Sequence, residues 1–260
     1  MDLGLKGKVI LLSASSKGIG FGIAREVAKE GGIVSISGRN EDDLINAYKE
    51  LSRFTDVTYF KMDASKLEDI NNWVNHSLKT FGRIDGLLIN AGGPKPGYFE
   101  DLIEDDWFDA YNLTLMSAVR MIRAVLPYMK DQKSGSIVTI TSTSIKEPID
   151  ILLLSNVFRS GVNSLVKSLA LTLGKYNIRL NNIAPGRIWT DRVKSLDLIN
   201  ANKKNITLEE QKNSEESLIP LGRYGDIQEI GRVGAFLLSD ASSYITGTTI
   251  YVDGGKTRSI

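Results

Sequence analysis

The sequence contains no cysteine and only one histidine, His76, among its 260 residues. The absence of cysteine excludes disulfides, thiolate metal ligands and a thiol nucleophile. A single histidine on a predicted outer helix argues against serine–histidine catalysis and histidine-based metal sites, so we expect no metal. The apolar run from Val9 to Leu12 near the N-terminus is too short for a signal or membrane segment. We therefore expect a cytoplasmic protein without a membrane partner.

Neither sign of charge predominates. The 32 Lys and Arg residues are balanced by 31 Asp and Glu residues, which gives a net charge of +1. This balance argues against a nucleic-acid or anionic-membrane surface, so we expect no nucleic-acid partner. The chain is 42% hydrophobic, with 24 glycines and 6 prolines. It has enough apolar material for a sizeable core and no compositional bias toward disorder.

Short β-rich runs alternate with longer helical patterns along the whole chain. Several of the runs are continuously apolar, as strands covered on both faces must be. The predicted strands are Lys8–Leu12, Gly32–Ser37, Val57–Lys61, Gly86–Ile89, Gly135–Ile140, Ile178–Ile183 and Thr248–Val252. The predicted helices, with apolar residues at three- and four-residue spacing, are Gly20–Glu30, Glu41–Ser52, Lys66–Phe81, Glu104–Lys130, Leu154–Lys175 and Ile227–Ser239.

This alternation, with right-handed crossovers, predicts the α/β class: a Rossmann-type doubly wound parallel sheet of about seven strands with helices on both faces. Length alone fits one large domain or two small ones. No linker interrupts the pattern, so we expect a single domain over residues 1–260. The long polar stretch at about 191–220 is predicted to be a mobile loop excursion over the carboxyl edge of the sheet, where such folds bind ligands.

A strand, a small-residue turn and a helix follow one another in "VILLSASSKGIGFGIAREVAKEG". Gly18 and Gly20 would let the backbone pass close to a ligand, and the helix N-terminus behind them favours an anion such as a pyrophosphate. The third glycine of the usual dinucleotide fingerprint falls on Ile23. The turn by itself therefore also fits a tight strand–helix connection that binds no ligand.

The position after the second predicted strand bears on the choice of cofactor. An NAD site would place a carboxylate there for the ribose hydroxyls, but the sequence has Ser37, Gly38 and Arg39. Arg39 can bind a 2′-phosphate with paired donors, and Lys17 in the glycine turn adds a second positive charge. An exposed arginine at a strand end is often only solvated. Together with Lys17 and the missing acid, Arg39 indicates NADP, as NADPH, in preference to NAD.

Five motifs in order and at the right spacing resemble the short-chain dehydrogenase/reductase family over essentially the whole chain. They are "SASSKGIG" at 13–20, "MDAS" at 62–65, "INAGG" at 89–93, "NNIAPGRIWT" at 181–190 and "SSYITGTTIYVDGG" at 242–255. In the first motif, Ser13 and Ala14 replace the Thr and the first Gly of the family pattern. The sequence is similar to members labelled 3-oxoacyl-acyl-carrier-protein reductase-like.

The resemblance implies a set of cofactor-binding residues and an assembly. Asp63 would contact the adenine, and Thr190 would hold the carboxamide end of the nicotinamide. The implied set is Ser13, Ser15, Ser16, Lys17, Gly18, Ile19, Gly20, Arg39, Asp63, Ala64, Asn90, Ala91, Gly92, Arg159, Pro185, Gly186, Ile188 and Thr190. Family members commonly form homotetramers or homodimers through two long helices, which here are those predicted over 104–130 and 154–175.

The family's usual active site consists of an Asn, a Ser, a Tyr and a Lys four residues after the Tyr. Ser142 stands at the Ser position, but Ser155 replaces the Tyr and Arg159 replaces the Lys. At the Asn position the ungapped match is Thr114, although Asn112 lies two residues earlier. Some members share "NAGGP", "LLLSNxxR" and "PGRIxTxR" as a set. The resemblance therefore implies a distinct branch of the family.

These exchanges change proton transfer more than they change charge. In the usual site the Tyr exchanges the proton with the substrate oxygen, and the Lys lowers the pKa of that Tyr. Ser155 is shorter and a far weaker acid, whereas Arg159 keeps a positive charge but cannot shuttle a proton. Four residues apart on a helix, both should line the site. We expect positioning roles for both, with Ser142 binding the substrate oxygen and Lys146 donating the proton.

Two further arginines bear on the charge of the substrate. Arg187 follows Pro185 and Gly186 and should point toward the nicotinamide, and Arg192 lies just beyond Thr190. Each also fits a solvated loop charge. Together these arginines would make the site electropositive, which indicates an anionic substrate such as a keto acid or an acyl thioester.

Two functions are compatible with these residues. The first is an NADP-dependent oxidoreductase of the carbonyl reductase or alcohol dehydrogenase type, with an altered proton-transfer site and a small-molecule carbonyl or alcohol substrate. The second is a non-catalytic NADP-binding protein with a regulatory or scaffold role. Ser142 and the cofactor motifs favour the enzyme, whereas Ser155 and Thr114 favour the second function.

Overall fold

A computed structural model describes residues 2–259 of the chain. Within these residues, seven strands form one sheet in the order β3-β2-β1-β4-β5-β6-β7, and every neighbouring pair is parallel. The strands are β1 Val9–Leu12, β2 Ile33–Gly38, β3 Val57–Lys61, β4 Gly86–Ile89, β5 Gly135–Ile140, β6 Ile178–Pro185 and β7 Thr249–Val252. The predicted Rossmann-type sheet is confirmed.

Helices connect the strands and cover both faces of the sheet. They are α1 Gly18–Lys29, α2 Glu41–Leu51, α3 Leu67–Phe81, α4 Glu104–Ala110, α5 Ser117–Gln132, α6 Leu153–Leu173, α7 Asp191–Lys204, α8 Leu208–Glu216 and α9 Ile227–Leu238. A π-helical segment, Tyr111–Met116, joins α4 to α5. Across the described residues, none of the helices combines the length and apolarity needed to span a bilayer.

Two apolar clusters hold the helices to the sheet. Val9 and Leu11 of β1 belong to the cluster that includes α3, α5 and α6, whereas Ile10 and Leu12 belong to the cluster that includes α1, α2 and α9. All four are buried, because successive strand residues point to opposite faces of a sheet that is covered on both sides. The sheet is thereby rigid, and its carboxyl edge provides fixed positions for a site.

The sequence periodicity places most element boundaries within two residues of the observed ones. The predicted helix Glu104–Lys130 differs from the observed structure, because the π-helical segment Tyr111–Met116 interrupts it. Neither glycine nor proline occurs in "YNLTLM" to mark such a segment. Inserted π-helical turns are frequent at functional sites, and this one contains Thr114, the position of the family's Asn.

The predicted loop excursion at 191–220 is largely helical, so that expectation was wrong. The segment forms α7 and α8, and the side chains of Thr190 and Thr207 cap their N-termini. Sequence periodicity did not reveal the two helices because they bury few apolar residues. Instead, α7 buries the carboxylate of Asp197, and α8 buries Gln211. Polar contacts therefore hold these helices over the carboxyl edge.

The turn between β1 and α1 contains a strained residue. Ala14 has a φ of +46°, in the left-handed region that favours glycine. The turn is also closed tightly, because a Cβ atom at Gly20 would lie 2.4 Å from the Ala14 carbonyl oxygen. The family pattern has Gly at position 14, so this chain keeps the glycine-type backbone with a methyl group on it.

We expect Ala14→Gly to raise the melting temperature by about 1–4 °C, because relief of the left-handed strain exceeds the added backbone entropy of the unfolded chain. Ala14→Val should lower the melting temperature, since a β-branched residue tolerates a positive φ poorly. Calorimetry measures both. Ala24→Gly, in the middle of α1, is the control and should destabilise the protein. A loss of stability in Ala14→Gly similar to that of Ala24→Gly would contradict the strain argument.

Candidate active site

A cleft of about 820 Å³ lies at the carboxyl edge of the sheet, lined by residues that follow the ends of β1 to β6. Ligands bind at this edge in open α/β sheets. The predicted site residues that line it are Ser16, Lys17, Gly18, Ile19, Arg39, Asp63, Ala64, Asn90, Ala91, Gly92, Ser142, Ser155, Arg159, Pro185, Gly186, Ile188, Thr190 and Arg192. Ser13, Ser15, Gly20, Lys146 and Arg187 were also predicted, but they are not among the lining residues.

Ser13 and Ser15 shape the glycine turn from behind. The Ser13 hydroxyl donates to the Asn90 carbonyl oxygen at 2.7 Å and accepts from the Asn90 amide at 2.9 Å. The Ser15 hydroxyl donates to the Leu12 carbonyl oxygen at 2.6 Å. These bonds fix the end of β1 to the end of β4. Both serines are buried, so their contribution to a cofactor site is to hold the backbone in place.

The far end of the cleft carries the charges that bear on the cofactor. Lys17 forms ion pairs with Asp43 at 3.3 Å and Asp191 at 3.7 Å, which offset much of its charge. Arg39 is exposed and lines the cleft, and within residues 2–259 it forms no ion pair. Burial opposes ionisation of Asp63, but hydrogen bonds from Ser65 and the charge of Arg39 keep the pKa of Asp63 below its usual value.

At the other end, one arginine organises the predicted catalytic residues. Arg159 donates from Nε to the Ser155 hydroxyl oxygen at 3.0 Å and from Nη1 to the Ile140 carbonyl oxygen at 2.7 Å. Burial, with a contribution from the charge of Arg192, lowers the pKa of Arg159 to about 10. The guanidinium therefore stays protonated at neutral pH and places a fixed positive charge beside Ser155.

Two serine hydroxyls in the cleft have protons available for a ligand. The Nε–H of Arg159 occupies one acceptor position on the Ser155 oxygen, and the backbone amide of Ser144 donates to the Ser142 oxygen at 3.1 Å. Because each oxygen already accepts a hydrogen bond, each hydroxyl can direct its own proton to another acceptor. Ser142 and Ser155 both line the cleft and can donate to a substrate oxygen there.

Comparison with known proteins agrees with this geometry. Residues 13–257 match the family described as Enoyl-(Acyl carrier protein) reductase. The chain belongs to the short-chain dehydrogenase/reductase family. A 3-oxoacyl-acyl-carrier-protein reductase of Chlamydia trachomatis is 34% identical over 96% of this chain and 98% of the relative. A 7alpha-hydroxysteroid dehydrogenase of Paraclostridium sordellii is 32% identical over 96% of this chain and 92% of the relative.

Solved structures of short-chain reductases share the whole fold. L-sorbose reductase from Gluconobacter frateurii, complexed with NADPH and L-sorbose, superposes with a TM-score of 0.95 at 28% identity, over 100% of both chains. YwfH, an NADPH-dependent reductase involved in bacilysin biosynthesis, superposes with a TM-score of 0.92 at 26% identity, over 97% of this chain and 99% of that one. These proteins are oxidoreductases, and the chain shares their family and fold.

The structure distinguishes the two candidates for the family's Asn position. Asn112 is partly buried, and its side-chain oxygen accepts from Arg120 Nη2 at 3.0 Å. Thr114 is buried, and its hydroxyl has no hydrogen-bond partner among the described residues. Neither lines the cleft, whereas Leu113 between them does. The short-chain dehydrogenase site therefore has no amide side chain at this position.

Lys146 does not reach the cleft. The short 3₁₀ turn Thr143–Ile145 follows Ser142 directly, and Lys146 comes immediately after it. Lys146 is exposed at the end of that turn and is not a lining residue. The sequence could not show this, because closeness in the chain to Ser142 does not fix the direction of a side chain. We therefore do not assign proton donation to Lys146.

Arg187, which was predicted to point toward the nicotinamide, is not among the residues that line the cleft. It donates from Nη1 to Asp197 at 2.6 Å and pairs through Nη2 with Glu215 at 3.1 Å. Asp197 is fully buried and accepts from the Tyr224 hydroxyl at 2.8 Å. Two carboxylates thus neutralise Arg187, which ties α7 and α8 to the end of β6. Its assignment as a substrate ligand is corrected to a structural role.

Sequence reasoning missed the apolar wall of the site. Leu113, Leu152, Trp189, Val193 and Leu196 line the cleft alongside the serines. Leu152 stands immediately before α6, and Val193 and Leu196 lie on α7. Recognising α7 as a helix would have revealed the last two, since residues three apart share a face.

Asp197→Asn should lower the free energy of unfolding by about 3 kcal/mol, because it leaves the partly buried Arg187 without one of its two carboxylates. Asp191→Asn removes an exposed partner of Lys17 and should change stability by less than about 1 kcal/mol. Urea denaturation of both variants measures the difference. Equal, small effects would show that the Asp197 contact does not hold α7.

Proposed function

We propose that the protein is an NADP-dependent oxidoreductase of the carbonyl reductase type, with a proton-transfer site that works without the family's Tyr and Lys. The observation that carries the proposal is the pair of hydroxyls of Ser142 and Ser155. Both line the cleft, both have an N–H donor on the oxygen, and Arg159 lies behind one of them. This arrangement suits an oxygen that becomes negative during reaction.

The chain's residues act on the substrate oxygen. NADPH held by the cofactor residues of the cleft would supply a hydride to the carbonyl carbon of the substrate, which leaves negative charge on the substrate oxygen. Ser142 and Ser155 donate hydrogen bonds to that oxygen, and the charge of Arg159 stabilises it through Ser155. Water in the open cleft supplies the proton that completes the alcohol. Because a positioned general acid contributes about 10²–10⁴-fold, we expect turnover to be slow for this family.

The residues of the cleft fit a phosphorylated dinucleotide. The first backbone N–H groups of α1 have no carbonyl partner within the helix, so they can bind an anion such as a phosphate. Gly18 at the start of α1 has a φ of +60°, a conformation that glycine adopts readily. Arg39, without an ion pair in residues 2–259, is free to bind a 2′-phosphate. Lys17 contributes less than predicted, because Asp43 pairs with it. The NADPH dependence of YwfH supports the same choice.

The proposed substrate is an anionic carbonyl compound, either a keto acid or an acyl thioester. Arg192 supports the anionic charge because it lines the cleft near the serines' end. The relatives act on different compounds, as the names 3-oxoacyl-acyl-carrier-protein reductase and 7alpha-hydroxysteroid dehydrogenase show. The charge of the cleft is therefore a better guide to the substrate than any one relative.

A non-catalytic NADP-binding role is the second candidate. It is favoured by Thr114, whose buried hydroxyl lies outside the cleft and cannot replace the family's Asn. On this alternative, the cofactor would bind without any turnover of carbonyl or alcohol compounds. NADPH consumption in a screen of keto acids, acyl thioesters and neutral ketones separates the two roles.

We also propose a homodimer or homotetramer packed through α5 and α6. Tyr128 on α5 and Val157 and Leu171 on α6 are exposed apolar side chains, and Leu171 is 78% exposed. Burial of such groups against a second copy would favour association. Sedimentation equilibrium measures the assembly, and a Leu171→Glu variant should shift it toward monomer.

We expect Arg39→Ala to weaken NADPH binding about 10–100-fold, because it removes a charge-assisted contact of about 1.5–3 kcal/mol to the 2′-phosphate. NADH binding should be little affected. Asp43→Asn is the matched control, and it should strengthen NADPH binding, since it releases Lys17 from its ion pair. Fluorescence titration measures each constant. Tighter binding of NADH than of NADPH by the unaltered protein would refute the cofactor assignment.

Ser142→Ala and Ser155→Ala should each lower kcat by about 10²-fold, because each removes one donor to the developing oxyanion. Neither should weaken NADPH binding greatly. Lys146→Met, which changes a residue outside the cleft, should leave kcat unchanged. Steady-state assays on the best keto acid found in the screen test all three. Loss of turnover in Lys146→Met, with normal turnover in Ser155→Ala, would restore Lys146 as the proton donor.

A further inference from the structure

The cleft divides into two halves of different charge. Its lining carboxylates within residues 2–259 are Asp43, Asp63 and Asp191. Lys17 pairs with Asp43 and Asp191, and Asp63 accepts from the amide and hydroxyl of its neighbour Ser65. These carboxylates are thus engaged on the side of the glycine turn and the adenine. Around the reactive serines, the charged residues that line the cleft are two arginines.

Those arginines, Arg159 and Arg192, have only neutral partners. Arg159 donates to the Ser155 hydroxyl and the Ile140 carbonyl, and Arg192 donates to the Pro94 carbonyl oxygen at 2.8 Å. Neither forms an ion pair within residues 2–259. Two cations that share a partly desolvated cleft without a counter-charge destabilise the unliganded protein. A bound anion would relieve both costs.

The Arg192 side chain is positioned by the segment that follows β4. A Cβ atom at Gly93 would lie 2.6 Å from Nη2 and 2.8 Å from Cζ of Arg192. The guanidinium therefore rests directly on the Gly93 backbone, and a larger residue at position 93 would displace this side chain, while the Pro94 carbonyl oxygen accepts its hydrogen bond. Gly93 thus makes space for the Arg192 guanidinium, and the Pro94 carbonyl oxygen orients it. An arginine that was only solvated would need neither contact.

We propose that Arg159 and Arg192 form a carboxylate subsite and that the substrate is a small keto acid. This inference rests on the proposed function and narrows it. Arg159 Nε lies 3.0 Å from the Ser155 oxygen, so an anion held by Arg159 sits only a few bonds from a carbonyl held by Ser155. A 2-oxo or 3-oxo acid has that spacing. An acyl thioester is neutral around its carbonyl and carries its phosphate at the far end of a long arm.

A cofactor pyrophosphate is the competing anion for Arg192. The N-terminus of α1 and Gly18 already offer a site for it. A substrate carboxylate and a cofactor pyrophosphate can be distinguished by which measured quantity changes when Arg192 is replaced. A carboxylate subsite governs discrimination between acids and esters, whereas a pyrophosphate contact governs the affinity for NADPH.

The kinetic test compares 2-oxobutanoate and acetoacetate with their methyl esters and with acetoacetyl-coenzyme A. Arg192→Gln should lower the ratio of kcat/KM for acid to that for ester about 10–100-fold, as expected for loss of a charge-assisted contact. Gly93→Ala should lower the same ratio with the charge retained, because it displaces the guanidinium. Arg53→Gln, at an exposed arginine outside the cleft, should leave the ratio unchanged. An unchanged ratio in Arg192→Gln, or an equal loss of NADPH affinity, overturns the proposal.

A binding test separates this inference from the proposed function. The NADP-saturated protein is titrated calorimetrically with oxamate and malonate, and with the neutral oxamide and malonamide. We expect an acid to bind the unaltered protein and not Arg192→Gln, while the diamides bind neither. Binding of an acid that depends on Arg192, without turnover of any carbonyl compound, would support the carboxylate subsite and refute the proposed oxidoreductase function. Turnover of ketones or thioesters by a protein that binds neither acid would keep the oxidoreductase and reject the subsite.

Discussion

The hydrogen bond from the Arg159 guanidinium to the Ser155 hydroxyl is the interaction on which the rest of the site depends. Arg159 connects the end of β5, through the Ile140 carbonyl, with Ser155 in the first turn of α6. The family's usual pair keeps a phenol, which is more acidic than an alkyl hydroxyl, next to a cation. This chain keeps the cation and has the less acidic serine hydroxyl; in the proposed function, stabilisation of negative charge takes the place of positioned acid catalysis.

Three segments of the chain meet around that cation and constrain one another. Gly93, which follows β4, leaves room for the side chain of Arg192 in the first turn of α7. The charge of Arg192 in turn helps to lower the pKa of Arg159 on α6. Arg187 and Asp197 in turn hold α7 over the sheet edge. A change in any one segment would misplace charges in the others.

The sequence predicted the sheet well because apolar periodicity is a local signal. It failed where the outcome depends on a partner distant in the chain. Arg187 follows Pro185-Gly186 as a nicotinamide contact would, but it pairs with Asp197 ten residues later and with Glu215. Helices α7 and α8 escaped notice because buried polar groups replace the apolar stripe by which helices are recognised. The Ser155–Arg159 contact, by contrast, followed from their four-residue spacing.

Hydride transfer by a site without the family's Tyr and Lys can be followed by deuterium transfer from C4-deuterated NADPH to a keto acid, with the hydroxy acid analysed by mass spectrometry. We expect one deuterium on the carbinol carbon with the unaltered protein, and almost none when Ser142 and Ser155 are both replaced by Ala. Cofactor binding without labelled alcohol from any keto acid, acyl thioester or ketone would instead establish the non-catalytic role.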